Sequence, residues 1–277
     1  MTIPSFTDQI YCLDAVSGMR ALPDSCVPLT LTSPPYDGLR RFGGHVFNHE
    51  VFEAVARELW RVTLSGGVVS WVVADEIEGG YSGTSFRQAL YFQELGFRLH
   101  DILIMTRSGG RYAGGNRYGI VEFAFVFSKG RPRSVHLIRD KENKHAGLLR
   151  RFKARTPDGK LRYAKHAKPI AEKGVRGPVW ECHAGFQKTT GDLYAYDHPA
   201  LMPEEMARDL IVSWSKPGDL VLDPFLGSGT TSKMALLNHR HFLGFEVHEP
   251  YYRIAVRRMK DAQAEYRRLL DAWLVRA

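Results

Sequence analysis

Apolar residues recur along this chain with two alternating periods. Val27-Pro-Leu-Thr-Leu-Thr32 is a short, partly β-branched run that predicts a buried strand. Residues 47–64 carry Val51, Phe52, Val55, Leu59 and Val62 at helical spacing, and Leu64-Ser-Gly-Gly67 is expected to close that helix before a strand over 68–74 that ends at Asp75. Helix and strand follow again at 86–95 and 97–106, then an aromatic strand at 118–128. After a long interruption the pattern returns, with a helix over 202–214 that has Pro203 and acids in its first turn. Strands at 220–222 and 241–246 and a long amphipathic helix at 250–273 complete it, and residues 8–26 read as a short strand, a brief helix and a turn. Such alternation predicts an α/β fold, a mostly parallel sheet covered by helices.

Two strand ends carry unusual chemistry. The first strand stops at Ser33-Pro34-Pro35-Tyr36, where consecutive prolines fix φ and remove two donors. Carbonyls uncommitted to a ladder then lie beside a hydroxyl and an aromatic ring, an acceptor cluster able to hold an amino group on a flat ring. The strand at 220–222 ends in Asp223-Pro-Phe-Leu-Gly-Ser-Gly-Thr-Thr231 and runs into the helical Ser232-Lys-Met-Ala-Leu-Leu237. Gly227 and Gly229 let backbone approach a ligand, and the helix N-terminus offers free N–H groups. This is neither a P-loop, since Thr230 and not Lys follows Gly229, nor a G-x-G-x-x-G dinucleotide turn. An acidic turn of this kind suits a ligand with a cationic or hydroxyl-rich part, and Glu246, at the tip of the next strand, is placed for ribose hydroxyls.

Charge adds a partner to that picture. The formal net charge is +8, yet residues 129–176 hold 16 Lys and Arg against four Asp and Glu, an excess of 12 that leaves the remainder at about −4. Phe152, Tyr163, Trp180 and Phe186 are interleaved with this basic block or follow it, as contacts to phosphates and bases require. Nucleic acid is therefore the expected partner, and a membrane is not, since the block lacks an amphipathic helical stripe. Three cysteines without ligand spacing indicate neither a disulfide framework nor a zinc site and suit a reducing cytoplasm. At 277 residues the chain has room for one α/β domain with an insertion or for two modest domains.

Taken together, Thr32-Ser-Pro-Pro-Tyr36 and Asp223-Pro-Phe-Leu-Gly-Ser-Gly-Thr-Thr231 resemble the catalytic and cofactor motifs of the DNA amino-methyltransferases. Tyr196-Asp-His-Pro-Ala-Leu-Met-Pro203 resembles their cofactor-flanking helix start, and Val121-Glu-Phe-Ala-Phe-Val-Phe-Ser-Lys-Gly130 a strand late in their sheet. The catalytic motif precedes the cofactor motif with the basic block between them, which is the order of the family's beta class. The resemblance implies a Rossmann-like, mostly parallel sheet of the methyltransferase type in circularly permuted order. Residues 1–129 and 197–277 would form the catalytic domain, and 130–196 an inserted, irregular target-recognition region.

The resemblance further implies methyl transfer from S-adenosylmethionine to an exocyclic amine of a base flipped out of duplex DNA, without a metal. Ser33 and the Pro34 carbonyl would accept hydrogen bonds from the amine, Pro35 would stiffen the bend and Tyr36 would stack on the base. Pro224, Phe225, Gly227, Ser228, Gly229, Thr230 and Thr231, with His198 and Pro199, would form the cofactor site. Glu246 would meet the ribose, and Asp223 would either order the turn or meet the ammonium group. In the family Ser at the first motif position accompanies cytosine N4 and Asp or Asn adenine N6, so cytosine is the expected base and adenine the alternative. An inactive DNA-binding protein of this fold is the alternative of another class. Double-stranded DNA would be held through 129–176 in the cytoplasm, on the nucleoid of a prokaryote, with a restriction endonuclease as a possible partner. His100-Asp101, Cys182-His183, Trp60, Trp71 and Trp214 are read as structural, and Asp75 as either a turn residue or a substrate contact.

Overall fold

The computed structural model describes residues 6–36, 47–78, 80–107, 121–151, 153–163, 167–183 and 185–274. The polar loop with Arg40, Arg41, Gly43, Gly44 and His45 lies outside the described residues, as do Phe152 and residues 118–120 of the aromatic strand. In chain order the main elements are β1 (Gln9–Tyr11), α1 (Ala15–Arg20), β2 (Val27–Thr32), α2 (His49–Val62), β3 (Thr63–Val73), α3 (Thr84–Glu94), β4 (Arg98–Arg107) and β5 (Glu122–Ser128). They continue as β6 (Val179–Cys182), a 3-10 turn (Leu193–Asp197), α4 (Glu204–Trp214), β7 (Leu220–Asp223), α5 (Thr230–Leu237), β8 (His241–Phe245) and α6 (Glu249–Leu274).

The eight strands form one sheet in the order β1-β8-β7-β2-β3-β5-β4-β6. Every pairing is parallel except those of β5, which runs antiparallel to both β3 and β4. β2 and β7 are neighbours, with Leu29 opposite Val221 and Thr30 opposite Leu222. Their C-terminal ends therefore leave the same edge of the sheet, and the Ser-Pro-Pro-Tyr bend and the glycine turn emerge side by side.

Strand alternation divides the core into two layers. Val27, Val69, Trp71, Val73, Phe125, Phe127, Leu222 and Phe245 pack in one cluster with Met19 of α1, Phe52, Val55 and Leu59 of α2, and Phe92 of α3. Edge-to-face pairs join Phe52, Trp71 and Phe92, and the Trp71 indole N–H reaches Gln88 Oε1 at 2.9 Å, so the ring's one polar atom is satisfied in the core. Leu29, Leu31, Val221 and Phe242 are buried on the other face, where α4 contacts β2 and α5 contacts β7 and β8.

One sequence expectation fails locally. Leu64-Ser-Gly-Gly67 does not close α2 as a turn; α2 ends at Val62 and β3 starts at Thr63, so the glycines lie inside an 11-residue strand. The reason is a distant docking. Gly66 adopts φ +77° and donates to Lys129 O, and Gly67 accepts from Lys129 N, while a side chain at Gly66 would meet Arg131 O at 2.9 Å. The glycines form an irregularity where β2 and β3 shift register, and they admit the segment that leaves β5.

The chain divides into two compact units, Met1–His136 with Val179–Ala277, and Leu137–Pro178. The second is narrower than the 130–196 read from sequence, because Val179–Cys182 joins the sheet as β6 beside β4. By itself the second unit holds three short antiparallel pairs nested about one turn: Lys141–Glu142 with Lys173–Gly174, Leu149–Arg150 with Lys168–Pro169, and Lys153–Arg155 with Leu161–Tyr163. Lys141, Arg150, Lys153, Arg155, Arg162 and Lys168 are exposed along it. Among the described residues no helix is long and apolar enough to cross a membrane.

Candidate active site

A cavity of about 1430 Å³ opens where β2 and β7 end. Ser33, Pro34, Pro35 and Tyr36 line it together with Asp223, Pro224, Phe225, Gly227, Ser228, Thr230, Thr231 and Glu246, and His198 and Pro199 close another part of its wall. Residues almost two hundred positions apart thus face one space, as parallel neighbouring strands require.

The two motifs are joined directly. The hydroxyl of Thr32, the last residue of β2, donates to Asp223 Oδ1 at 2.6 Å, and the Phe225 N–H donates to the same oxygen at 3.0 Å. Asp223 is buried, and burial outweighs the hydrogen bonds from Thr32, Thr231 and Phe225 and pushes its carboxyl up to about 6. Its observed partners order the turn. Ser33 Oγ lies 2.9 Å from the Tyr36 hydroxyl, so the acceptor cluster and the aromatic platform are held to one another across the proline bend.

The glycines of the turn do different work. Gly227 has φ +53°, its N–H donates to Glu246 Oε2 at 2.8 Å, and a Cβ there would lie 3.0 Å from the His198 ring. The second carboxylate oxygen of Glu246 accepts from His248 N at 2.8 Å, so Glu246 ties the turn to the end of β8. Gly229, grouped by sequence with the ligand-facing residues, does not border the cavity. It takes φ +88° at the N-terminus of α5, and a Cβ would stand 3.2 Å from Ala255 Cβ. Its lack of a side chain lets α5 cross α6 closely.

Beneath the turn lies a buried ionic cluster that the sequence reading missed. Arg258 of α6, 0 % exposed, donates to Asp192 Oδ2, Ser228 O and Oγ, Thr230 Oγ1, Thr190 Oγ1 and Glu204 Oε1 at 2.6–3.2 Å. Lys233 of α5 reaches Asp192 and Glu204, each at 2.8 Å. Two cations meet two carboxylates, so the buried charge is balanced. Burial works to raise the Asp192 carboxyl, but hydrogen bonds from Lys233 and Arg258 outweigh it and hold it below the ordinary range. The cluster fixes the glycine turn to the segment around 190 and to the start of α4. A signal for it existed: Arg258 falls on the same helical stripe as Ala255, Met259 and Ala262, the buried face of α6.

Other sequence-singled residues find structural places. Asp75 accepts from Ser85 N and Oγ at 2.8 and 3.0 Å and from Ser82 Oγ at 3.3 Å, which caps α3 where the N-cap residue Gly83 has no side chain to do so. Trp71, Trp214 and Cys182 are buried, and the His100 ring packs edge-on against Trp214. Of the basic block, Lys129 donates to Trp60 O and Thr63 O at the end of α2, and Arg133 pairs with Asp219 at 2.9 Å. Those two cations belong to the first unit and are consumed by its framework.

A family model described as DNA methylase matches residues 27–257. The orphan methyltransferase M.BamHII of Bacillus amyloliquefaciens is 48% identical over 243 residues, 86% of this chain and 90% of that protein. The DNA adenine methyltransferase YhdJ of Escherichia coli K12 is 24% identical over 266 residues, 91% of this chain and 82% of YhdJ. Among solved structures, the cytosine-N4-specific PvuII DNA methyltransferase superposes with a TM-score of 0.65 at 18% identity, covering 95% of this chain and 92% of that one. A putative DNA modification methylase from Thermus thermophilus, complexed with S-adenosyl-L-methionine, gives a TM-score of 0.58 at 21% identity, covering 91% and 95%.

Proposed function

This chain belongs to the DNA methylase family, the N4/N6 class of DNA methyltransferases, and from that premise we propose that its acceptor is the N4 amine of cytosine in duplex DNA. The methyl donor is S-adenosylmethionine, which supplies an electrophilic sulfonium methyl when bound. The cavity fits such a ligand in volume and in chemistry. Gly227 leaves a cradle that a Cβ would fill against His198, and the carboxylates of Asp223 and Glu246 on the wall suit a cationic, hydroxyl-bearing molecule.

Ser33 and the Pro34 carbonyl accept hydrogen bonds from the amine, which keeps its lone pair free and aimed. A serine hydroxyl is donor and acceptor at once, and it accepts from the amine best when its own hydrogen is given elsewhere. The Tyr36 hydroxyl, 2.9 Å from Ser33 Oγ, is suited to take that hydrogen. The ring of Tyr36 stacks on the flipped base, and the Thr32–Asp223 hydrogen bond holds the acceptor bend in register with the glycine turn. The exposed cations of the 137–178 unit neutralise duplex phosphates.

The observation that carries the choice of cytosine is Ser33 itself at the first position of the bend, a hydroxyl where adenine enzymes of the family usually have a carboxylate or amide. Adenine N6 is the competing acceptor, favoured by the likeness to YhdJ. Nucleoside analysis of duplex DNA methylated in vitro decides: N4-methylcytosine is expected, and N6-methyladenine as the sole product overturns the assignment. Because M.BamHII is an orphan methyltransferase, we favour an enzyme acting alone over one paired with a restriction endonuclease.

A further inference from the structure

Phe186 stands 66% exposed while also lining the cavity of the active site, so its ring is at the mouth. Water contact over most of a phenyl ring is unfavourable, and the local backbone does nothing to avoid it. The flanking residues are instead folded to present the ring. Gly185 takes φ +126° and Gln187 φ +61°, a left-handed conformation that a residue with a side chain rarely adopts.

The turn is pinned from below. Gly185 N donates to Thr189 Oγ1 at 2.9 Å, and Lys188 N and Thr189 N both donate to Gly185 O, at 3.1 and 3.0 Å. The Tyr196 hydroxyl donates to the same carbonyl at 2.9 Å, and the Tyr196 ring stands 5.0 Å from that of Phe186. Glu204 N donates to Thr189 O at 3.1 Å and links the turn to the start of α4, whose Glu204 side chain Arg258 holds. A solvent-facing aromatic ring on a pinned turn therefore borders the cavity that Ser33 also lines.

We propose that Phe186 enters the base stack at the position the target base leaves. The inference rests on the proposed reading of this cavity as the pocket for a flipped base. A base that swings out leaves two neighbours unstacked, and an apolar wedge that replaces it restores part of the lost contact and slows its return. A planar ring on a pinned turn loses little freedom on insertion, which distinguishes it from a flexible side chain on a mobile loop. Tyr36 and Phe186 then act at the two ends of one movement, the first on the base inside the cavity and the second in the gap outside.

The test uses the full chain and the duplex site located by sequencing modified bases in DNA from cells that express it. Phe186→Ala should lower kcat/KM for the paired duplex ~10–100-fold, the range expected for one lost base–aromatic stack. On the same duplex with a mismatch opposite the target base, where extrusion is already easier, the loss should shrink to within about 3-fold. Phe186→Trp should retain activity, and KM for S-adenosylmethionine and the melting temperature should stay at wild-type values. An equal loss on both duplexes, or a raised KM for S-adenosylmethionine, overturns the proposal and assigns the ring to packing or to the cofactor. A wild-type chain that transfers methyl to no DNA overturns the underlying reading and this inference with it.

Discussion

Replacing Asp223 by Asn should make the protein more stable and less active. The carboxyl is buried and its pKa is pushed from an ordinary 3.8 up to about 6. Ionising it in the folded state therefore costs about 3 kcal/mol relative to ionising it in the unfolded chain. Because the folded pKa is the higher one, the folded state holds the extra proton. The stabilisation is complete below about 3.8 and is lost as pH rises through about 6. Asn keeps the shape and never ionises. Its oxygen can accept from Thr32 and Phe225, and its amide can donate toward Thr231, whose hydroxyl reaches Leu31 O at 3.5 Å. The shift to about 6 already includes the hydrogen bonds to the ionised carboxylate, so a gain of about 3 kcal/mol is expected at pH 7.5 and well under about 1 kcal/mol at pH 4. Urea unfolding of both proteins at the two pH values measures this, with calorimetry of S-adenosylmethionine binding to register the accompanying loss of affinity. Unfolding curves for the two proteins that keep the same separation at pH 4 and 7.5 would refute the argument.

Further expectations concern the turn, the bend and the basic unit. Arg258→Met strips the buried cation from two partly exposed carboxylates at a cost of about 3 kcal/mol, the lower end for a broken buried pair, because Lys233 still reaches both. Thermal melting should fall by about 6–12 °C and KM for S-adenosylmethionine should rise, whereas an unchanged KM would separate the cluster from the turn it underlies. Tyr36→Ala should slow turnover by about 10–100-fold through loss of base stacking, and near-normal single-turnover rates would remove that role. Duplex binding should weaken by about 10³-fold between 50 and 200 mM salt if the exposed cations of 137–178 meet about six phosphates. A flat salt response would take the duplex off that unit.

The parts of this architecture that could be read from sequence are those encoded within a few neighbouring residues. Buried parallel strands such as 27–32 and 220–223 are nearly continuous apolar runs, and the Pro-Pro bend and glycine turn interrupt them abruptly. What escaped reading depends on partners far along the chain. Gly66 and Gly67 look like a turn, and only the docking of Lys129 turns them into a strand irregularity. Arg258 lies on the apolar stripe of its helix, which hints at burial, but nothing local says that Asp192 and Glu204 wait beneath it. Lys129 and Arg133 swelled the count of the basic block although their charges are spent on α2 and Asp219. The acidic strand end at Asp75 reads from sequence as either a turn residue or a substrate contact, and the structure shows both its bonds to Ser82 and Ser85 and its place on the cavity wall.

The hydrogen bond between Thr32 and Asp223 spans 191 positions, β1 pairs with β8, and Arg258 reaches the turn from the last helix. A ribosome emitting this chain releases the acceptor bend long before the glycine turn, and the turn before the arginine that braces it. No shorter nascent segment holds a finished cavity. Methyl transfer should accordingly switch on late and all at once during synthesis, after the basic 137–178 unit has already left the ribosome.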